Sequence, residues 1–363
     1  MNRLSVKRRL SQYTATPSIK KRLTNSVKSA YLLIHRLLFI CAIGSTISWA
    51  ISLPVQAETP LADQTALLSN ATQRLLSLDK HNIELASVSA AVIDTKTGAP
   101  LYQKHADMMM PIASITKLMT AMVTLDAKLP LDEKIQFTRA HKLANNNYYS
   151  RIRIGSELAR KDVIRIALMS SENMAASALG HTYPNGIKAF VNAMNLKAKQ
   201  LGMQHTYFVD STGLSAHNVS TASDLAIMVR AAATYPNIIE YSKTPSYTAR
   251  FSHPKYALRF GNTNALVHRP SWKIDVTKTG YLDEAGRCLV MMTTINGRNT
   301  VMIMLNSYGK RTPVGDAGRI KRWLTTGSSG KISSSARHYQ RQILQHRLPD
   351  QLALQQSGLN NET

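Results

Sequence analysis

One serine and one lysine stand out in an otherwise apolar part of the sequence. From Met108 to Leu125 the only charged residue is Lys117, which follows Ser114 by three positions. Residues at i and i+3 lie on the same side of a helix, so the two side chains would be neighbours. Burial lowers the pKa of a lysine, and a neutral lysine can accept the proton of a serine hydroxyl. The spacing therefore indicates a Ser-Lys nucleophilic pair.

The S-x-x-K pattern is weak by itself because it occurs six times in the chain. The six matches begin at Ser18, Ser77, Ser114, Ser252, Ser307 and Ser328. Only the match at Ser114 opens an apolar helical pattern, which continues through Ile115, Leu118, Met119 and Met122. The other matches lie in polar stretches, where an ordinary helix or loop with a solvated lysine explains them.

Two further motifs follow in an order that would complete one site. Ser171-Glu172-Asn173 is the only S-x-N in the sequence, and it lies where one predicted helix ends and the next begins. Lys278-Thr279-Gly280 ends a predicted strand and precedes Tyr281. A second K-T-G, Lys96-Thr97-Gly98, lies in a predicted hairpin turn and fits turn chemistry. Each motif alone has an ordinary structural explanation, but together and in this order they indicate one catalytic site.

The elements that must hold these motifs are strands near both ends of the chain and helices between them. Apolar residues recur at helical spacing over residues 61–78, and a predicted strand pair follows at 88–94 and 101–102. Residues 130–205 have a mostly helical pattern, and strands return from Tyr247 onward. The individual segments predicted are helices at 161–169, 174–179, 187–201, 222–233 and 316–324, and strands at 275–281, 287–294 and 300–305. This order predicts an α+β domain, an antiparallel sheet packed by helices with a mostly helical lobe.

The first 57 residues have the pattern of an export signal. They contain nine basic residues and no acid, and an apolar run at 37–53 precedes Val55-Gln56-Ala57. We expect cleavage after Ala57 and a periplasmic protein; an uncleaved signal, a later start codon and a single transmembrane anchor are the alternatives. A span needs ~20 apolar residues, and this run is shorter. Residues 58–325 are then the catalytic domain, and 326–363 a Ser/Gly-rich linker and flexible tail. A weak surface helix at Ile343, Leu344 and Leu348 is the alternative for the tail.

The formal net charge is +24, and it falls to +15 without the first 57 residues (36 basic against 21 acidic). We expect this charge to favour binding to anionic cell-envelope polymers or membrane surfaces. The alternative is that the basic residues form a solvated surface with no particular partner. Nucleic acid is not an expected partner of an exported protein. Cleavage would leave Cys288 as the only cysteine, so no intramolecular disulfide could form.

The three motifs together resemble the serine penicillin-recognising enzymes, whose signature is S-x-x-K, S-x-N and K-T-G. The resemblance runs from about Val88 to Leu324, and it implies a β-lactamase/transpeptidase-like fold. Segments at 193–195, 198–203, 206–208, 212–214 and 221–226 look like the low-molecular-weight D-alanyl-D-alanine peptidases. Ser-Glu-Asn at 171–173, Lys-Thr-Gly-Tyr at 278–281 and the lack of a long C-terminal domain are most similar to the endopeptidases of that group. Carboxypeptidase relatives typically carry Ser-Gly-Asn and Lys-Thr-Gly-His.

The resemblance also implies roles for residues of the first two motifs. Ser114 would attack a D-Ala carbonyl and become the acyl-enzyme ester, with Lys117 as general base. The ammonium form of that lysine would be destabilised by the apolar helix and by Lys278 nearby. Ser171 would relay a proton to the leaving amine, and Asn173 would hold the substrate amide and the Lys117 amine.

The third motif is implied to recognise substrate. Lys278 and Thr279 would bind the substrate carboxylate, and Gly280 would let substrate backbone approach the strand edge. The backbone N–H groups of Ser114 and Tyr281 would form the oxyanion hole. No metal or organic cofactor is needed, and the absence of H-E-x-x-H from the sequence gives a zinc peptidase no support.

The function expected is a serine D,D-endopeptidase that hydrolyses D-alanyl cross-links in peptidoglycan and is inhibited covalently by β-lactams. A D,D-carboxypeptidase that trims the pentapeptide stems would use the same residues. A β-lactamase of the Glu-assisted type is disfavoured because no glutamate lies in an E-x-x-L-N segment. A non-catalytic penicillin sensor or wall-binding module is the alternative from another class, and three intact motifs argue against it.

Overall fold

The centre of the fold is an antiparallel sheet that joins an N-terminal strand to C-terminal ones. The computed structural model describes residues 78–142 and 150–359. Its strands are β1 Ser87–Asp94, β2 Pro100–Lys104, β3 Met110–Pro111, β4 Lys134–Gln136, β5 Glu157–Ala159, β6 Val219–Ser220, β7 Ser246–Phe251, β8 Tyr256–Gly261, β9 Lys273–Leu282, β10 Gly286–Ile295 and β11 Arg298–Ser307. Five of them form one antiparallel sheet in the order β2-β1-β11-β10-β9. The predicted α+β class is confirmed.

Both faces of this sheet are covered, as the side chains of β11 demonstrate. Val301, Ile303 and Leu305 belong to the core shared with the helical lobe. Met302 and Met304 point to the other face, where they belong to a core that also contains Ala317, Ile320 and Trp323 of the helix at Thr312–Thr326. Alternation with a period of two is expected of a strand, and here both sets are apolar because both faces are buried.

Eight α-helices surround the sheet within the described residues. They are α1 Thr116–Asp126, α2 Arg160–Met169, α3 Asn173–His181, α4 Gly186–Gln200, α5 Ala222–Ala232, α6 Pro236–Ser242, α7 Thr312–Thr326 and α8 Ser334–Leu359. Helix α1 is buried on every side from Thr116 to Thr124, which is expected of a helix with almost no polar face. None of the helices in the described ranges has the length and apolarity needed to cross a membrane.

The mostly helical pattern predicted for 130–205 is wrong for the first part of that range. In the described residues 130–142 and 150–159 there are the strands β4 and β5, one 3-10 turn at Arg139–His141 and their connections, and the first α-helix of the range begins at Arg160. The short helix α6 has no counterpart in the predictions. Strands of three residues carry too little alternation to be recognised, and β4 and β5 are fixed instead by pairing with each other. The helix predicted at 61–78 lies almost wholly outside the described residues.

The C-terminal segment also differs from the linker and flexible tail expected for 326–363. Helix α8 begins at Ser334, and its first turns pack against the sheet. Tyr339 Oη donates to Asn306 Oδ1 at 2.7 Å, and Gln340 Nε2 donates to the carbonyl oxygens of Leu85 and Ser87 at 2.7 and 3.1 Å. A polar composition does not exclude a helix when its side chains satisfy backbone groups of a neighbouring strand.

Asp316 of α7 hydrogen-bonds to the start of β1. Its substitution therefore tests how much this contact stabilises the packing of α7 on the sheet. Its carboxylate is fully buried and accepts hydrogen bonds from the backbone N–H groups of Ala86 and Ser87 and from the Ser87 hydroxyl, at 2.6–3.0 Å. Asp316→Asn would set an amide N–H against one of these donors. We expect a loss of about 2 kcal/mol in the free energy of unfolding, measured by urea titration.

Asp132→Asn is the matched control. Asp132 makes an exposed ion pair with Lys161, and exposed pairs of this kind contribute little. We expect its unfolding curve to match that of the unsubstituted protein. Equal effects of the two substitutions would contradict the role given to Asp316.

Candidate active site

Ser114 lies in a tight turn at the start of α1. Residues Ala113–Ile115 form one 3-10 turn that runs directly into the helix at Thr116. Ala113 has a φ of +48°, a region that non-glycine residues rarely adopt, and the Thr116 hydroxyl donates to its carbonyl oxygen at 2.8 Å. Ser114 is half-buried, so its hydroxyl remains accessible from outside the core.

Two glycines allow other segments to approach this turn closely. A Cβ on Gly213, which has a φ of +79°, would overlap the carbonyl oxygen of Ala113. A Cβ on Gly280 would lie 2.9 Å from the carbonyl oxygen of Ile112 and 3.2 Å from the backbone nitrogen of Ser114. The absence of a side chain at both positions therefore lets a loop and strand β9 pack directly against the turn.

Lys117 is the centre of the site. Its side chain is fully buried, and its Nζ lies 2.8 Å from Ser114 Oγ. The same nitrogen lies 2.7 Å from Asn173 Oδ1 and 2.5 Å from the carbonyl oxygen of Thr212. Three segments that are far apart in the sequence thus meet at one amine, which is aimed at the serine hydroxyl.

Burial lowers the pKa of Lys117 to about 7. The carboxylates of Asp210 and Glu172 act in the opposite direction, because negative charge nearby favours the ammonium form. A substantial fraction of the amine is therefore neutral near pH 7, as proton abstraction from a hydroxyl requires.

The S-x-N segment leaves the helix body at the junction of α2 and α3, as predicted. Ser171 has a φ of +61°, so the chain reverses direction there. Glu172 caps α3 by accepting a hydrogen bond from the backbone N–H of Met174 at 3.3 Å. This geometry turns the side chains of Ser171 and Asn173 towards the two lysines.

The second lysine, Lys278, approaches from strand β9. Its Nζ lies 2.9 Å from Ser171 Oγ and 2.8 Å from the carbonyl oxygen of Thr279. Burial lowers the pKa of Lys278 well below its ordinary value, and the positive charge of Lys117 lowers it further. The hydroxyl of Thr279 donates to that of Thr263 at 2.6 Å. The edge of β9 therefore presents an amine and a hydroxyl beside the S-x-N segment.

Tyr281 continues this edge strand beyond Gly280. Its ring is 47% exposed and lies under the guanidinium of Arg287, with 3.5 Å between the guanidinium carbon and the ring centroid. Its hydroxyl donates to Asp283 at 2.5 Å. The backbone of residues 280–281 is next to that of Ser114, because Gly280 leaves no side chain between them.

All the residues predicted for the site from the sequence thus lie around Ser114, but one element of it was missed. The loop at 210–215 supplies the Thr212 carbonyl to Lys117 and is held by Asp210, whose carboxylate accepts from the backbone N–H groups of Thr212, Gly213 and Ser215. The side chain of Asn218 joins this loop to α1. Asp-x-Thr-Gly is a turn signal that could have located the loop, but nothing in it indicates its contact with Lys117.

The second K-T-G behaves as turn chemistry predicts. Lys96 and Thr97 are exposed in the turn between β1 and β2.

Chemically, the assembled site offers a hydroxyl beside an amine of lowered pKa and a second buried amine beside another hydroxyl. This arrangement suits acyl transfer through a serine nucleophile.

Comparison with known proteins agrees with this chemistry. The family model described as D-alanyl-D-alanine carboxypeptidase matches residues 77–309. A protein of Escherichia coli named D-alanyl-D-alanine endopeptidase is 46% identical over 82% of this chain and 93% of its own length. A protein of Pseudomonas aeruginosa with the same name is 50% identical over 71% of this chain and 84% of its own.

Solved structures with the same fold include a DD-transpeptidase of Streptomyces, with a TM-score of 0.63, 29% identity and coverage of 67% of this chain and 98% of the other. Penicillin-binding protein D2 of Listeria monocytogenes, in its cefotaxime-bound form, has a TM-score of 0.60 and 29% identity over 68% of this chain and 99% of the other. The fold is therefore the β-lactamase/transpeptidase type expected from the motifs.

The close contact at Gly213 provides a test of how the Ser114 turn is built. Gly213→Ala should lower the free energy of unfolding by about 3 kcal/mol or more, because left-handed strain is added to a clash with backbone. Gly202→Ala is the control: it has the same φ of +79° with nothing within 4 Å of the new Cβ. Strain alone should cost it about 1 kcal/mol. Denaturant unfolding of both variants measures the difference, and equal losses would rule out the packing argument.

Proposed function

The chain belongs to the D-alanyl-D-alanine carboxypeptidase family of serine peptidases, and from that premise we propose that it is a serine D,D-endopeptidase acting on D-alanyl cross-links in peptidoglycan. The observation that carries the proposal is the 2.8 Å contact between Lys117 Nζ and Ser114 Oγ inside a buried cluster. The names of the relatives from E. coli and P. aeruginosa favour the endopeptidase reaction.

In the acylation step, Lys117 Nζ takes the proton of Ser114 as Oγ bonds to the carbonyl carbon of D-alanine. Its neutral amine is available because its pKa is lowered to about 7. The negative charge on the carbonyl oxygen is stabilised by the backbone N–H groups of Ser114 and Tyr281. Collapse of the tetrahedral intermediate breaks the C–N bond and leaves an ester on Ser114.

The leaving amine takes the proton that Lys117 received from Ser114, and the Ser171 hydroxyl relays it, which returns Lys117 to its neutral form. The Ser171 hydroxyl lies 2.9 Å from Lys278 Nζ, and Asn173 of the same motif contacts Lys117. Water then attacks the ester carbonyl and gives a proton to Lys117. The C–O bond of the ester breaks, and Lys117 passes that proton to Ser114 Oγ, which regenerates the hydroxyl. No cofactor takes part in this sequence of steps.

Lys278 and Thr279 bind the substrate carboxylate in this proposal. Burial lowers the pKa of Lys278, and the charge of Lys117 lowers it further. A carboxylate placed beside its amine would raise that pKa again, because an opposite charge favours the ammonium form. Binding of the anion and protonation of Lys278 are therefore coupled. The same pocket would receive the carboxylate of a β-lactam, and the similar Listeria protein has been solved in a cefotaxime-bound form.

A D,D-carboxypeptidase would use the same residues, and the two reactions differ in whether the cleft admits a second stem peptide. The peptidoglycan substrate implies action outside the cytoplasm. We therefore propose that residues 1–57 are an export signal cleaved after Ala57, which leads the catalytic domain at 58–325 to the periplasm. Those first residues lie outside the described part of the chain.

The test compares a cross-linked muropeptide dimer with a monomeric pentapeptide as substrates of the mature protein. We expect the dimer to be cleaved to monomers, resolved by mass. Ser114→Ala should abolish cleavage, whereas Ser252→Ala, at another S-x-x-K serine, should retain it. Release of terminal D-alanine with the dimer intact would instead establish the carboxypeptidase.

The rate of acylation should depend on the protonation of Lys117. Protonated Lys117 cannot accept the Ser114 proton, so acylation by a fluorescent penicillin should rise with pH through a midpoint near the lysine pKa of about 7. Removing the negative charge of Glu172, which raises this pKa, should move the midpoint of Glu172→Gln to lower pH. A pH-independent rate, or a midpoint that rises in the variant, would refute the assignment of Lys117 as base.

A further inference from the structure

Asp210 holds the loop at 210–215 with both oxygens of its carboxylate. Its Oδ1 accepts hydrogen bonds from the backbone N–H groups of Thr212 and Gly213, at 2.6 Å each, and from the Thr212 hydroxyl at 2.8 Å. Its Oδ2 accepts from the backbone N–H of Ser215 at 2.9 Å. A turn of this kind needs only one side-chain acceptor, so Asp210 makes more contacts than the turn geometry requires.

One of these contacts fixes the direction of the carbonyl group that meets Lys117. The N–H of Gly213 and the C=O of Thr212 belong to one peptide unit, which is planar and trans, so they point in opposite directions. The N–H donates to Asp210 Oδ1 at 2.6 Å, and the C=O oxygen lies 2.5 Å from Lys117 Nζ. A single rigid peptide unit therefore joins the carboxylate to the amine.

The Thr212 carbonyl group helps to decide where the lone pair of Lys117 points. A neutral lysine amine has N–H groups to donate and a lone pair to accept. Asn173 Oδ1 and the Thr212 carbonyl oxygen can only accept, so they take N–H groups of the amine, at 2.7 and 2.5 Å. The lone pair is left for the third neighbour, the Ser114 hydroxyl at 2.8 Å. A carbonyl group turned away from the amine would let the amine rotate and lose this alignment.

Asp210 also acts on Lys117 through its charge. The charged groups around this amine are Asp210 in the loop, Glu172 before α3 and Lys278 on β9. Burial lowers the pKa of Lys117, and of the two carboxylates that oppose this effect Asp210 has the larger influence. Proton transfer from Ser114 turns the amine into an ammonium ion, which a negative charge nearby stabilises.

The loop is anchored to the turn that carries the nucleophile. Asn218 Nδ2 donates to the Asp210 carbonyl oxygen and to the Thr116 hydroxyl, at 3.2 Å each. The Oδ1 atom of Asn218 accepts from the backbone N–H of Asp210 at 3.2 Å, and its backbone carbonyl accepts from the N–H of Ile112 at 3.0 Å. Asp210 is therefore held by one side chain to residues on both sides of Ser114.

We propose that Asp210 is a positioning residue for the acylation of Ser114 and that it acts on Lys117 through the Thr212–Gly213 peptide unit. The inference rests on the proposed function, since it takes Lys117 as the base. The arrangement extends the Ser-Lys pair to a nucleophile, a base and a third group that orients the base. The carboxylate directs the lone pair of the amine and stabilises the ammonium ion that forms as Ser114 is acylated.

The experiment measures the rate of acylation of the mature protein by a fluorescent penicillin as a function of pH. With penicillin in large excess, the observed rate constant comes only from folded molecules, so partial unfolding of a variant changes the amplitude and not the rate. Asp210→Asn removes the charge and sets an amide N–H against a backbone donor. We expect its midpoint at lower pH than that of the unsubstituted protein, because a charge that raises the pKa of Lys117 is lost. The plateau rate above the midpoint should fall about 10-fold, because the base is weaker and less well oriented.

Asp224→Asn is the matched control. Asp224 is a buried carboxylate that accepts from the backbone N–H of His205 at 2.7 Å and from the Thr206 hydroxyl at 2.8 Å. It is not among the charges that act on the pKa of Lys117. Its substitution should lower the free energy of unfolding but leave the pH midpoint and the plateau rate of acylation unchanged.

Asp210→Glu separates the charge from the orientation, and it serves in place of Asp210→Asn if that variant does not fold. It keeps the negative charge, so its pH midpoint should remain close to that of the unsubstituted protein. The longer side chain moves the oxygens away from the N–H groups of Thr212 and Gly213, so the plateau rate should still fall.

An Asp210→Asn midpoint equal to that of the unsubstituted protein would overturn the inference, as would a plateau loss no greater than that of Asp224→Asn. A full plateau rate in Asp210→Glu would refute the orienting role. These outcomes are separate from that of the proposed function. A pH-dependent acylation that neither Asp210 variant alters would refute only the role of Asp210. A protein that shows the expected Asp210 effects but cleaves neither muropeptide dimers nor pentapeptides would refute only the peptidase assignment.

Discussion

The burial of Lys117 is the constraint on which the rest of the site depends. A lysine held out of water must either lose its proton or find enough hydrogen-bond acceptors to keep it. Here it meets the oxygens of Ser114, Asn173 and Thr212 and retains a pKa of about 7, between those two limits. The contacts that satisfy the amine also hold it beside the Ser114 hydroxyl, which is the arrangement that the proposed chemistry requires.

That geometry requires backbone segments to approach more closely than side chains would allow. Gly213 and Gly280 let a loop and an edge strand pack against the backbone of the Ser114 turn. The sheet makes this approach rigid, because β9 is paired along its length with β10, and β10 with β11. The oxyanion hole proposed at Ser114 and Tyr281 is thus formed by backbone that the fold fixes before any substrate arrives, which is the condition for effective electrostatic stabilisation.

The sequence identifies the parts of this site whose residue types carry the chemistry. Lys117 stands out because it is the only charged residue between Met108 and Leu125, and Ser171 and Asn173 because they lie at a helix junction. The carbonyl of Thr212 gives no such signal, since every residue has a carbonyl and only the tertiary fold decides which one meets the amine. A flexible tail was expected in place of helix α8 for a related reason: the helix is held by contacts such as that of Gln340 with the Ser87 carbonyl of β1. The short strands β4 and β5 likewise depend on pairing rather than on local pattern.

We propose that Lys117 and its partners activate one hydroxyl, that of Ser114, although S-x-x-K occurs six times in the sequence. The most direct measurement is mass-spectrometric mapping of the covalent adduct that the protein forms with a penicillin. After proteolysis, we expect the penicilloyl group on the peptide that contains Ser114 and on no other. An adduct on a peptide that carries Ser252, Ser307 or Ser328 instead, or a Ser114→Ala protein that is still labelled, would contradict it.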